Sequence, residues 1–331
     1  MASFIVSFKE FAFMKADRPL DCLVAGEANC DLLIDGVARL EFEKEKLATG
    51  MKLVLGGSSS ITAFNLARLG AKVGFAGIVG DDFFGRFVEE RLRGAGVDVE
   101  ALRRLPQADT GLTIWCKKGS KRAGITYSGS IAMLRARDVS DESLRKARHL
   151  HVGAYFLLRN LHPGARALFQ RAQKLGLTTS LDCNYDPAET WDSGIRRVLK
   201  FTDWFFPNEV EALRLTGCRD VEGAAWELAK LARAVAVKLG ARGVLVCAAG
   251  KQVRVPAVKT RVVDTTGAGD SFDAGFLACF LKGGSIEESA HAGVAAGARA
   301  VKALGGTAAF ERLGKPSPRT RRNRAGSAIT A

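Results

Sequence analysis

The chain has 331 residues, 47% of them hydrophobic, and a formal net charge of +14. That is ample for a sizeable core in one large α/β domain or two smaller ones, while no apolar run reaches the ~18 residues that span a bilayer. The seven cysteines (22, 30, 116, 183, 218, 247, 279) include no C-x-x-C pair, which argues against a disulfide or zinc framework and for a reduced, cytoplasmic protein. Met1–Phe13 is apolar but broken by Lys9 and Glu10, with no basic leader pattern, so residues 1–20 read as an extension, and Met14 is an alternative start. From there strand and helix patterns alternate. Cys22–Ala25 is a short strand, Ser59–Leu69 a helix with Ile61, Phe64 and Leu69 on one face, and Val73–Ile78 a strand. Phe84, Phe87, Val88 and Leu92 make a helical stripe ending near Gly94. His149–Val152, Thr178–Leu181, Trp204–Phe206, Val235–Leu239 and Val244–Cys247 are further strands, mostly separated by helical stretches. This alternation predicts an α/β fold with a mainly parallel sheet, helices on both faces, and ligands beyond the strands' carboxyl ends.

One segment breaks the rhythm. Thr110–Tyr127 alternates by two, turns at Gly119-Ser120 and resumes at Ile125, which predicts a hairpin. A hairpin there serves equally as a water-excluding lid or as an ordinary surface feature.

The most informative stretch is Val263-Asp264-Thr265-Thr266-Gly267-Ala268-Gly269-Asp270, followed by a helical run through Phe272, Phe276, Leu277, Phe280 and Leu281. Backbone N–H groups of Gly267, Ala268 and Gly269, with the positive end of the helix, form a cradle for an anion such as a phosphate. Asp270 stands where it can take a proton from an attacking hydroxyl, the arrangement that phosphoryl transfer requires. On its own the loop also fits a helix-capping turn. No G-x-x-x-x-G-K-[ST] occurs, and Phe272 breaks G-x-G-x-x-G, so neither a P-loop nor a dinucleotide fingerprint is present.

Together these segments resemble the ribokinase-like, PfkB-type carbohydrate kinases over roughly residues 21–312. The resemblance implies a doubly wound kinase domain over 21–313 with a small β lid contributed by segments near 35–54 and 108–128. It implies that the amides of Gly267, Ala268 and Gly269 form the anion hole and that Asp270 is the base. Gly26-Glu27-Ala28-Asn29-Cys30-Asp31 is similar to the family's substrate motif, pointing to Asp31 and Asn29 as sugar anchors; without the rest, Asp31 reads as a turn or cap. Gly56-Gly57 resembles the di-glycine that lets the sugar approach, with Ser58 beside it. Gly80-Asp81-Asp82-Phe83-Phe84-Gly85 matches a G-x-D-x-x-G segment that is structural in part. Asn208-Glu209-Val210-Glu211 matches N-x-x-E, linking Asn208 and, indirectly, Glu211 to magnesium and phosphate. Lys238, Gly240 and Gly243 match the family's loop beside the nucleotide phosphates, and the resemblance implies nucleotide contacts for these, for Thr265 and for His291, which falls where the family lines its adenine pocket. Asp264 and Thr266 match positions that hold a monovalent cation in several members, although Asp264 can equally be a plain loop cap.

One position departs from the pattern. The asparagine that contacts the sugar in many members is Ile61 here; Asn65 lies a turn further on, and Ser58, Ser59 and Ser60 offer hydroxyls instead. The expected activity is ATP- and Mg²⁺-dependent phosphorylation of an alcohol group on a small sugar, with potassium as a further candidate cofactor. A nucleoside kinase of the same fold is the alternative, and a non-catalytic nucleic-acid-binding relative a weaker one. Six of the fourteen charges (Arg312, Lys315, Arg319, Arg321, Arg322, Arg324) lie in a tail with Pro316 and Pro318, so 314–331 reads as disordered and no nucleic-acid or membrane partner is expected. Pairing of two chains through the lid is the expected assembly.

Overall fold

The computed structural model describes residues 18–37, 39–118, 121–311 and 313; the Gly119-Ser120 turn, Met14 and the basic tail lie outside these. In chain order the strands are β1 (Cys22–Ala25), β2 (Asn29–Asp35), β3 (Gly50–Gly56), β4 (Val73–Gly80), β5 (Leu102–Leu105), β6 (Leu112–Lys118), β7 (Lys121–Tyr127), β8 (His149–Val152), β9 (Thr178–Leu181), β10 (Trp204–Phe205), β11 (Ala234–Lys238), β12 (Val244–Ala248) and β13 (Lys251–Val255). The helices are α1 (Ser58–Arg68), α2 (Phe83–Ala95), α3 (Asp141–Arg145), α4 (His162–Lys174), α5 (Ile195–Leu199), α6 (Glu209–Thr216), α7 (Val221–Ala229), α8 (Ala268–Phe280), α9 (Ile286–Ala300) and α10 (Ala308–Glu311). Among the described residues no helix is long and apolar enough to cross a membrane.

Nine strands form the large sheet in the order β13-β12-β11-β10-β9-β8-β1-β4-β5. All neighbours from β11 to β5 are parallel, and β12 and β13 close one edge as an antiparallel pair. Its central strands read as unbroken apolar runs because both faces are covered. Adjacent residues of one strand enter different cores: Cys22 and Val24 join Phe64, Val88, Phe272, Phe276 and Phe280 from α1, α2 and α8, whereas Leu23 and Ala25 join Leu144, Leu168, Val198 and Leu228 from α3, α4, α5 and α7. The fold is therefore the two-faced α/β sheet expected. Most expected strand limits agree to within one or two residues. The helix expected to end near Gly94 runs to Ala95 and stops at Gly96, whose left-handed φ of 89° suits a glycine C-cap.

A second sheet has the order β3-β2-β6-β7, so the expected hairpin pairs onto β2. Its first half begins at Asn29, ahead of the 35–54 segment expected. Its faces are only partly covered. On one face Asn29, Asp31, Val54 and Thr113 are buried; on the other Cys30 and Leu55 pack into the core while Met51, Ile114, Ile125 and Tyr127 are exposed.

Candidate active site

The functional loops leave the carboxyl ends of β1, β9, β10 and β11 and meet the start of α8, where an open α/β sheet binds ligands. Gly267 precedes α8 at φ 72°, and a Cβ there would lie 2.5 Å from Gly306 Cα, so the turn requires glycine. The Ala268 N–H turns back onto the Thr265 carbonyl (3.2 Å), and the Ser271 N–H bonds the Gly267 carbonyl (2.9 Å). Of the expected cradle, Gly267 makes the turn and Ala268 is engaged inside the loop; the first-turn N–H groups of Gly269 and Asp270 are those with no carbonyl one turn behind them. Ile61 walls this loop against Gly306. Asn65 donates to Ser271 Oγ (2.9 Å) and to the Gly306 carbonyl (3.0 Å), so it braces the cradle.

Asp270 is partly exposed in the first turn of α8. Burial of its carboxyl and the nearby Asp182 charge push it up to about 6, against the Lys238 ammonium and a hydrogen bond from Ser58. Lys238 ends β11 and reaches Asp182 Oδ2 at 2.5 Å and Asp273 Oδ1 at 3.3 Å. Its ammonium also lies beside Gly269, 3.4 Å from where a Cβ would be. Burial opposes its charge, but the surrounding carboxylates hold it well above the usual lysine range. Buried Asp273 is raised well above the carboxylate range by desolvation, with Lys238 opposing. Against its own burial, Asp182 is held low by Lys238. The cradle thus combines a helix N-terminus with a fixed ammonium, which suits a phosphate.

The two residues expected to anchor the sugar, Asn29 and Asp31, sit on β2, with Asn29 Nδ2 3.4 Å from Asp31 Oδ1 and from Thr113 Oγ1. Gly56 pairs opposite Asn29. A Cβ on Gly56 would fall 2.2 Å from Asp31 Oδ1, and one on Gly57 2.5 Å from Asn29 Oδ1. The di-glycine therefore makes room for these two side chains. Glu27 accepts from the Ser58 N–H (2.6 Å) and from the Ser59 hydroxyl (2.5 Å), capping α1, whose Gly57 N-cap has no side chain to do so. Burial lifts Glu27 to about 7, with the Ser59 bond opposing and Asp270 adding to the rise. Asn184, just past β9, donates to Ser58 Oγ (3.3 Å).

Of the residues expected near the nucleotide, Asn208 and Glu211 form a reciprocal capping box at α6: Glu211 N–H to Asn208 Oδ1 at 3.0 Å, Asn208 N–H to Glu211 Oε2 at 2.8 Å. Burial first, then Asp182, raises Glu211 to about 7, with Lys238 opposing. Gly240 (φ 58°) and Gly243 (φ 92°) shape the turn between β11 and β12, and Arg242 pairs with Glu209 across it. Thr265 is exposed and gives its carbonyl to the loop, and His291 is exposed on α9. Asp82 is a structural anchor: it caps α2 through Gly85 N–H (2.7 Å) and holds Thr110 N–H (2.7 Å) at the start of β6. Asp182, Asn184, Asp273 and Lys117 were not singled out from sequence; the first two follow a strand end, the signal that could have found them.

Asp264 is buried and accepts from Thr266 N–H (3.2 Å), Thr266 Oγ1 (2.9 Å) and Gly305 N–H (2.9 Å). Lys117 Nζ stands 3.4 Å from its Oδ1. Against burial, these donors and Lys117 hold the carboxyl below the usual aspartate range.

Known proteins carry the same frame. The chain is 32% identical to a 2-dehydro-3-deoxygluconokinase of Bacillus subtilis over 264 residues, 76% of this chain and 82% of that protein. An E. coli protein described as a ribokinase II superposes with a TM-score of 0.78 in its apo form (25% identity, 88% of this chain, 96% of that one) and 0.76 with ATP and Mg²⁺ bound (25% identity, 87% and 94%). An Arabidopsis thaliana ribokinase holding ribose and ATP gives 0.75 (25% identity, 88% and 95%). The profile of the pfkB family carbohydrate kinases matches residues 20–312. With the two-faced sheet and the Gly-Ala-Gly-Asp start of α8 in place, the chain belongs to that family of sugar kinases, phosphotransferases with an alcohol group as acceptor.

Proposed function

We propose that the protein transfers the γ-phosphate of ATP to a hydroxyl of a small sugar, with Asp270 as general base. The observation that carries this is Asp270 itself: a carboxyl at the N-terminus of α8, hydrogen-bonded by Ser58 and raised to about 6, close to where a base is both deprotonated and effective at neutral pH. Asp31 and Asn29 anchor vicinal hydroxyls of the sugar. The N–H groups of Gly269 and Asp270, with Lys238, stabilise the charge on the phosphoryl group in flight. Asn208 and the Gly240–Gly243 turn flank the nucleotide phosphates, and His291 the base.

Magnesium, bound with ATP, would neutralise phosphate charge. The ligand atoms of Asp182, Cys183 and Glu211 lie within 4.8 Å of one another, and the two carboxylates suit a hard cation where the thiol does not. Glu211 already accepts from Asn208 and from Cys183 Sγ (3.4 Å), so it acts on the ion indirectly. A monovalent cation at Asp264 and Thr266 does not fit the residues present, because Lys117 already faces that carboxylate.

Two chains pair through the smaller sheet. Its outward face leaves Met51 72%, Ile125 65% and Tyr127 57% exposed, an apolar surface of the kind that marks an interface. Sedimentation of the purified protein tests this; a monomer at tens of micromolar refutes it. ADP release across a panel of sugars and nucleosides tests the activity; release with nucleosides alone would move the acceptor to that class.

A further inference from the structure

We propose that the Lys117 ammonium is the resident cation of the Asp264 loop, replacing a diffusible monovalent ion and tying the smaller sheet to the phosphoryl-transfer loop. The proposal rests on the kinase reading above. Lys117 lies on β6, on the same inward face as Asp31 and Thr113. Its side chain is 11% exposed and that of Asp264 2%, so the pair is desolvated. A buried carboxylate needs a positive or donor-rich partner, and this one is fully supplied. Its Oδ1 takes the Thr266 N–H and hydroxyl and faces Lys117 Nζ at 3.4 Å; its Oδ2 takes the Gly305 N–H. Each carboxylate oxygen offers about two lone-pair sites; three donors converge on Oδ1 and one on Oδ2. Oδ1, the oxygen that Lys117 faces, has no lone pair left for a free cation.

The consequence is mechanical as well as electrostatic. Asp264 stands at the head of the loop that turns at Gly267 into α8. Val54 of β3 lies against the far side of the same site, 3.4 Å from where a Cβ on Gly305 would be. Lys117 of β6 and Val54 of β3, which approach Asp264 and its partner Gly305, belong to the sheet that carries Asn29 and Asp31. A free ion would be present whatever the sheet's position. A tethered ammonium is present only when the sheet lies over the site, so sugar capture by β2 and ordering of the cradle become one event.

The test compares wild type with Lys117→Met in potassium, ammonium and tetramethylammonium salts, reading kcat by ADP release and Tm by thermal unfolding. Wild type is expected to change kcat less than about twofold between these salts and to show no potassium-specific rise in Tm. The variant is expected to lose about tenfold or more in tetramethylammonium, to recover most of it in potassium or ammonium, and to gain Tm from those ions alone. Lys117→Gln serves as a second variant should Met fail to fold. Strong potassium activation of wild type overturns the proposal, as does a folded variant indifferent to cations in both readouts. Absence of ADP release from wild type with every acceptor would instead overturn the kinase reading, and the Tm comparison still decides whether potassium binds.

Discussion

Replacing Asp270 with asparagine separates catalysis from stability. The amide matches the carboxylate in size, so the start of α8 is kept while the base is lost. General-base catalysis contributes about 10²–10⁴-fold, roughly 3–5 kcal/mol of barrier, and kcat should fall by that factor. Stability should move the other way. The folded-state value of about 6 lies above the ordinary 3.8, so the folded protein holds the proton between those values and loses stability as pH rises through that window. Asparagine carries no such loss, and at pH 7 the variant should melt no lower than wild type. The same shift sets the wild-type pH profile. A base titrating near 6 in the free protein is about 90% deprotonated at pH 7 and about 10% at pH 5, so kcat/KM for the acceptor should drop about tenfold between them, whereas an unshifted aspartate would give almost no drop. ADP release at saturating and at low acceptor concentrations, with calorimetry in parallel, measures all three. A variant retaining more than about a third of wild-type kcat, or a wild-type profile flat from pH 5 to 8, would refute Asp270 as the base.

Gly56→Ala should raise KM for the sugar with little change in KM for ATP, because the new methyl would meet Asp31 Oδ1 at 2.2 Å; equal effects on both substrates would remove Asp31 from sugar binding. Lys238→Met should cost about 3–5 kcal/mol of stability by leaving buried Asp182 without its partner, and should weaken ATP binding; an unchanged melt with unchanged KM for ATP would contradict its place in the cradle. Removing residues 314–331, which lie beyond the family match ending at 312, should leave kcat unchanged; a folded but inactive truncation would tie the tail to the site.

The large sheet was legible because its strands are unbroken apolar runs and its helices keep a 3.6-residue stripe, as Phe272, Phe276 and Phe280 do in α8. The turn into α8 was legible because Gly267, a residue that suits a left-handed turn, stands directly before a helix. What sequence concealed were contacts made across the chain. Asn65 stood a turn too far along α1 to replace the missing sugar asparagine and was given no role, yet it bonds Gly306, 241 positions away. N-x-x-E read as a magnesium motif, and its local chemistry is first a capping box. Glu27 was quoted only as part of a motif, since nothing in its neighbourhood shows that it caps a helix 31 residues on.

The smaller sheet was the least legible part, for one physical reason. In a half-buried strand, alternation normally assigns the apolar set to the core and the charged set to solvent. Read that way, Ile114 and Cys116 point in and Lys117 points out. Here the register pairs Asp31 with Thr113 and Asp35 with Lys117, and Lys117 on that row reaches the buried Asp264 carboxylate. The outer part of the other row leaves Ile114 and Ile125 exposed, although its inner part, Cys30 and Leu55, is buried in the core. A slip of one residue in β6 would turn Lys117 away from Asp264 and Thr113 away from Asn29. The ion pair at Asp264 and the polar cluster of Asn29, Asp31 and Thr113 are therefore consequences of a single strand register.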